Sequence, residues 1–423
     1  MIIQHNSRRS GLNATTFAAA LTSALLLTAC KESGSPTSPR GTDSLAALPR
    51  ALSAAEQEGV GANNQFALQL LRTSAAGKTD NVLLSPLSVS FALGMTMNGA
   101  GGETLEQMQR TLGWGSRTRQ DINTAYRDLG TLLPTLDSKV AIHLANGVWL
   151  RSGLTPDTSF VRNAREFFRA PVQTVATPQL MFDSVNAWGS RETRGMIPRV
   201  MDGAPPPDLV MMLANAVTFS GTWRDEFKVA DTRNQPFTLT SGQQVSVPLM
   251  TRVGKFRSFD SPELQAAELL YGNGAYGMLL MQPRSGSIST FVSALDSARY
   301  ATIVQGLREP DSRSPVYLPR FKVSASLELS PALKTMGMTR AFTDAAQFPQ
   351  LLPGVPTLIR FVKHGVALEV DERGTKAAAV TSVGIGVVSM PPTYRFDRPF
   401  VFFIRDRLSG TILFSGVIND PRQ

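Results

Sequence analysis

A single cysteine, Cys30, stands among 423 residues. No intramolecular disulfide can form, and neither a thiolate metal site nor a thiol nucleophile is available to the folded part. Histidine is almost as scarce: His5, His143 and His364 are the whole supply. A Ser-His-Asp arrangement would have to use His143 or His364, and His143, in an apolar run, reads as a buried or edge histidine bonded to backbone. No G-x-S-x-G elbow, H-E-x-x-H helix or Walker loop occurs, so a hydrolase using either histidine is the weakest reading. No metal and no cofactor are expected. Lys and Arg outnumber Asp and Glu by 42 to 33, but no clustered basic run stands out. The excess therefore reads as solvated surface, with an anionic surface or polysaccharide as the alternative, and no nucleic-acid partner is expected.

The first 29 residues are not part of the fold. Arg8 and Arg9 make a basic start, Thr15 to Leu27 is a short apolar stretch, and Leu27-Thr28-Ala29-Cys30 resembles a lipobox. Such a segment is a cleavable signal, too short for a membrane span. In a lipobox the small residues fit the peptidase and the cysteine sulfur takes up diacylglycerol, which makes Cys30 the lipidation site. The alternative is a plain secretory signal with a chance cysteine. Residues 30–55, rich in Ser, Pro and Gly at their start, read as a flexible tether. Residues 56–423 show no second linker and no internal repeat, and read as one domain. The chain is thus expected to be an exported monomer whose only membrane contact is the anchor. Lys31, in place of an Asp that would resemble an inner-membrane retention signal, favours the outer membrane or cell surface.

Hydrophobic spacing predicts helices early and strands late. Phe66-Ala67 with Leu70-Leu71 opens a helix. Ser85-Pro86 starts another, with Ser as cap and Pro in the first turn, and Val89, Leu93 and Met97 share one face of it. Phe160, Ala164 and Phe168 mark a third. Val140, Ile142 and Leu144 alternate as a strand, and the nearly continuous apolar run Val210 to Phe219 suits a strand in the middle of a covered sheet. Leu333 to Met338 reads as a short helix and Leu358 to Val370 as a long strand. With no βαβ rhythm the class is α+β.

The most informative segment is Glu372-Arg373-Gly374-Thr375-Lys376-Ala377-Ala378-Ala379-Val380-Thr381, running on to Val387-Val388-Ser389-Met390-Pro391-Pro392. Every second residue from Thr375 to Val387 is Thr, Ala, Val or Ile, the pattern of a strand with one buried face. Gly384 and Gly386 weaken a permanent strand, and the prolines cannot continue a ladder. The segment is either an ordinary strand with a proline stop or a loop that becomes a strand. It resembles the hinge and bait loop of the serpins, the suicide protease inhibitors. Six further blocks, in family order, carry the resemblance from about Asn63 to Asn419. They are Asn81-Val82-Leu83-Leu84-Ser85-Pro86-Leu87-Ser88, Gly99-Ala100-Gly101-Gly102-Glu103-Thr104, Asn186-Ala187-Trp188 with Thr193-Arg194-Gly195-Met196-Ile197, Asn215-Ala216-Val217-Thr218-Phe219-Ser220-Gly221-Thr222-Trp223, Leu318-Pro319-Arg320-Phe321-Lys322 and Arg398-Pro399-Phe400-Val401-Phe402-Phe403-Ile404.

The resemblance implies three β-sheets, eight or nine helices and an exposed reactive-centre loop. It assigns Glu372, Gly374, Thr375, Ala377, Ala378 and Ala379 to the hinge. Ser85, Ser88 and Asn215 go to a shutter beneath the main sheet, while Trp223 and His364 go to its top, where the loop first enters. Counting the family's spacing forward from Glu372 and backward from Pro399 converges on Val388-Ser389 as the reactive bond. A β-branched Val388 suits the shallow apolar pocket of an elastase-like serine protease. Thr375, Ala377 and Ala379 would face into the sheet, and none is charged or bulky, which favours inhibition. The alternative is a non-inhibitory member, cleaved as a substrate or binding a ligand.

Overall fold

A capping box opens the first helix of the folded chain. Ser53 Oγ accepts from Glu56 N, and the Glu56 carboxylate accepts in return from Ser53 N at 2.7 Å. The structure is a computed structural model that describes residues 46–375 and 392–423. Cys30, Ala377, Ala378, Ala379, Val388 and Ser389 lie outside the described residues. Packing begins before the expected boundary at residue 56. Ala46, Leu48 and Leu52 lie against the core, and Arg50 pairs with the buried Glu56 carboxylate at 2.6 Å. The apolar spacing of those residues, masked by the polar stretch before them, was the available sign.

Nine α-helices occur among the described residues: α1 (Ala54–Ala75), α2 (Pro86–Met97), α3 (Gly102–Thr111), α4 (Arg119–Leu132), α5 (Thr158–Phe168), α6 (Pro178–Glu192), α7 (Ile288–Ser293), α8 (Ser297–Gly306) and α9 (Ser330–Thr335). Ser85, Thr118, Asp157 and Thr177 cap α2, α4, α5 and α6 with side-chain oxygens, each satisfying a donor that helix geometry would leave unpaired. Helix α2 is buried almost all round, as its mostly apolar composition requires.

Four sheets, not three, are present among the described residues. The largest is antiparallel, in the order β1 (Val82–Leu84), β16 (Ile412–Ile418), β15 (Phe400–Asp406), β9 (Tyr276–Pro283), β8 (Leu264–Tyr271) and β7 (Arg257–Asp260). Its central strands are buried on both faces, and Phe400, Phe402, Phe403 and Phe414 fill the core there. A second sheet runs β14 (Tyr394–Arg395), β10 (Ser314–Pro319), β6 (Gln244–Gly254) and β5 (Arg233–Thr238). The third runs β13 (Gly374–Thr375), β4 (Met211–Thr222), β2 (Val140–Arg151) and β3 (Val172–Val175), and β11 (Phe321–Glu328) with β12 (Lys363–Val370) forms the fourth.

The extra sheet arises because no ladder joins β4 to β12 among the described residues. This also corrects the reading of β4 as a strand in the middle of a covered sheet. One side pairs with β2 over Met211–Gly221, whereas the other carries β13 only at Gly221 and Thr222. The expected long strand from Leu358 starts at Lys363, since residues 358–362 run as irregular chain along a cavity.

Candidate functional site

The site is a slot between β4 and β12. At its upper end β12 turns back on itself through Asp371–Gly374. The Asp371 carboxylate accepts from Arg373 N at 2.9 Å and Gly374 N at 3.2 Å, and Asp371 N donates to Gly374 O at 3.0 Å. Gly374 has φ +132°, and a Cβ there would lie 2.6 Å from Trp223 N and even closer to Gly221 O. Only glycine fits that conformation and that approach. Beyond the turn the chain enters the slot as β13, antiparallel to β4, with Gly374 opposite Thr222 and Thr375 opposite Gly221.

Side chains pin this turn. Glu372 is 4% exposed, and its carboxylate accepts from Thr232 Oγ1 at 2.7 Å and from Arg320. Burial disfavours its charge, but the Arg320 and Thr232 bonds outweigh that and hold the carboxyl below its ordinary range. Trp223 stacks on Tyr271 with ring centroids 4.3 Å apart, and its Nε1 donates to Asp371 O at 2.9 Å. Thr375 is already buried in the sheet, its Oγ1 3.2 Å from Tyr271 Oη, while Ser220 Oγ donates to Thr375 O at 3.1 Å. Burial drives the Tyr271 hydroxyl far above its usual range, so it stays protonated. Tyr271 and Arg320 had no assigned role in the sequence. Arg320 lay within a quoted block, whereas Tyr271 ends an apolar strand and carries no local mark.

The slot's lower half is a cavity of about 460 Å³. Met211–Ala216 line one side and residues 356–365 the other, with Ser88 beneath and Trp188 of α6 above. Asn215 and His364 reach this space from opposite sides. Asn215 Nδ2 donates to Asn146 Oδ1 at 2.8 Å, and Asn215 Oδ1 is buried without a hydrogen-bond partner. Asn146, on β2, is a member of the polar set that the sequence did not reveal. Ser85 Oγ donates to Leu413 O at 3.0 Å and accepts from Ser88 N, while Ser85 N donates to His364 Nε2 at 3.0 Å.

His364 therefore belongs with Ser85, Ser88 and Asn215, not with Trp223 at the slot's entrance as expected. It begins β12, whereas the hinge follows the strand's other end, so strand length alone separates them. Burial without a countercharge lowers its pKa to about 4. Its Nε2 lone pair is occupied by an amide N–H, which leaves no base toward a hydroxyl at that atom. His143 is also placed differently from expectation. It is half exposed on β2, and Nε2 lies 2.9 Å from Glu192 Oε2 on α6 instead of meeting backbone. The alternating strand pattern puts it on the outer face, where α6 supplies the carboxylate.

The fold agrees with comparisons to known proteins. The family profile described as "Serpin (serine protease inhibitor)" matches residues 61–421. An uncharacterised serpin-like protein of Thermococcus kodakarensis is 31% identical over 409 residues, covering 93% of this chain and 94% of the relative. Iripin-2 of Ixodes ricinus is 31% identical over 373 residues, covering 85% and 92%. Among solved structures, the thermophilic serpin tengpin in its native state superposes with a TM-score of 0.79 at 27% identity, over 88% of this chain and 95% of that one. Human thyroxine-binding globulin bound to its hormone reaches 0.80 at 22% identity, over 88% and 100%, a likeness of fold. With a family match spanning nearly all of the described residues, the chain belongs to the serpin family of serine protease inhibitors.

Proposed function

We propose that the chain is a suicide inhibitor of elastase-like serine proteases that traps the acyl-enzyme by drawing its cleaved loop into the slot. The observation that carries this reading is β13. It has already begun a strand in the gap, and from Met211 to Phe219 β4 has no second strand neighbour among the described residues. Unpaired strand edges favour addition of a strand. Continuing the register of Gly374 and Thr375, Lys376 falls opposite Ser220 and Ile385 opposite Met211, the first residue of β4. The strand's length thus matches the loop up to three residues before Val388.

In this mechanism the protease serine attacks the Val388 carbonyl. The peptide bond to Ser389 breaks, and the new amine departs with the C-terminal fragment. Entry of residues 376–385 then carries the acyl-linked protease away from the site of attack and deforms its catalytic groups before water can release it. The alternating small residues suit the inward face, and Lys376 takes the outward register. Val388 selects a shallow apolar pocket. Cys30 tethers the inhibitor to the outer membrane or cell surface through lipid, which places it in the path of exported or invading proteases.

Incubation with pancreatic elastase tests the reading. A complex that survives boiling in detergent is expected, together with a released fragment that begins at Ser389. Cleavage without a stable complex would make the protein a substrate and favour a non-inhibitory role.

A further inference from the structure

Sulfur in the folded part of this chain is thioether sulfur, since Cys30 is the only cysteine and methionine occurs fifteen times. Met1 and Met390 lie outside the described residues. All the others are buried except Met196 and Met211, which are half-buried. Met211 is the one of this pair that lines the slot's lower half, together with the buried Met201 and Met212. It opens β4, on the side of that strand left without a second neighbour among the described residues. With Leu213 it packs against the main core, whose Leu93, Phe348 and Leu351 also line the cavity. Met212 belongs instead to the cluster of Trp149, Phe182 and Trp188. The space beside Met211 admits water-sized molecules, and a peroxide is scarcely larger.

We infer that Met211 is an oxidation site, and that its conversion to the sulfoxide by a peroxide turns trapping off. The sulfur lone pair attacks one peroxide oxygen and the O–O bond breaks. The departing oxygen takes up a proton and leaves as water or an alcohol, so sulfur is oxidised by two electrons and the peroxide is reduced. No thiol in the folded part competes for the oxidant. In the open slot the new oxygen meets solvent and is tolerated. In the closed sheet it is not. Continuing the register of β13, Ile385 falls opposite Met211, and residues directly opposite in an antiparallel pair share a face. The oxygen is then shut in beside Ile385 and the Leu93 and Leu351 side of the core, where a polar group without a partner is costly. Oxidation therefore penalises the inserted state and spares the native one, and only such a difference shifts the balance between trapping and release. That consequence rests on the inhibitory reading, whereas the oxidation itself does not.

Peptide mass spectrometry of the full chain during exposure to dilute hydrogen peroxide tests the site without any protease. Met211 should gain one oxygen about tenfold or more faster than Met278 and Met281, both fully buried. A rate no greater than theirs overturns the assignment. Trapping is scored with elastase after catalase has removed the peroxide, in a Met390→Leu background that takes away the thioether next but one to Val388. Oxidised protein should give about fivefold less stable complex or lower, with more cleaved product in its place. The same treatment of Met211→Leu, measured against its own untreated sample, should leave the yield unchanged although Met196 is oxidised in both. No loss of complex in the oxidised protein, or an equal loss in Met211→Leu, overturns the switch. Should the untreated protein form no complex, the inhibitory reading fails, and the peptide masses still decide the oxidation site.

Discussion

Acid should loosen this protein through one buried imidazole. His364 is buried, its Nε2 accepts from Ser85 N, and its pKa is lowered to about 4 in the folded state. An unfolded histidine titrates near 6.5. The unfolded chain therefore binds a proton between those values that the folded chain refuses, so the stability present above pH 6.5 is lost as the pH falls toward 4. At pH 4.5 the loss attributable to this residue is about 2–3 kcal/mol, a large part of the margin of an ordinary domain. Glu372, Glu268 and Asp420, whose folded pKa values are lowered, act in the same sense but only at lower pH. They hold stability above the ordinary carboxylate range and lose it as the pH drops below that range. Denaturant unfolding of wild type and His364→Gln, at intervals from pH 7.5 to 4.5, isolates the histidine. The variant should be less stable at pH 7.5, because Ser85 N loses its fitted acceptor, and should show a distinctly flatter fall with acid. Equal slopes in the two proteins would show that His364 is not the group held neutral.

The remaining predictions concern the turn, the loop and the anchor. Gly374→Ala forces a side chain into an unfavourable φ and against Trp223 N, so it should destabilise the fold by about 1–3 kcal/mol, read as a lower unfolding midpoint. Ala379→Arg puts an unpaired charge at an inward position of the inserting strand; cleavage by elastase should persist while stable complex disappears, and an undiminished complex yield would refute the hinge register. Val388→Arg should exchange elastase trapping for trapping of trypsin-like proteases, whose pocket carboxylate pairs with the guanidinium, with the released fragment still starting at Ser389 by mass spectrometry. Cys30→Ser should move the protein from membrane to soluble fractions, and continued sedimentation with membranes would refute lipidation.

How far each residue was legible depended on whether its role is local or assembled. The Ser85 cap and the apolar run of β4 are local devices, and residue type with spacing was enough to see them, whereas Gly374 entered only through the resemblance. Ser85 and Glu372 could be named from the resemblance because the blocks around them are contiguous in sequence. Arg320 and Tyr271 reach the turn from other strands, so no spacing near Glu372 points to them. Asn146 is hidden in the same way, meeting Asn215 only because β2 and β4 are in register.

By itself, then, the sequence determined the α+β class, the family, the absence of intramolecular disulfides and the alternating residue pattern after Gly374, since each depends on composition or on a period that one segment carries alone. Only the tertiary structure decided that β4 and β12 stand apart among the described residues, that Thr375 is already paired in the gap, that His364 accepts from Ser85 N and that His143 faces Glu192. These are long-range facts, fixed by which strands pair and which helices cover them. The physical reason is that burial and strand pairing depend on distant segments: the same histidine is a solvated base or a neutral, amide-bonded ring according to what folds over it.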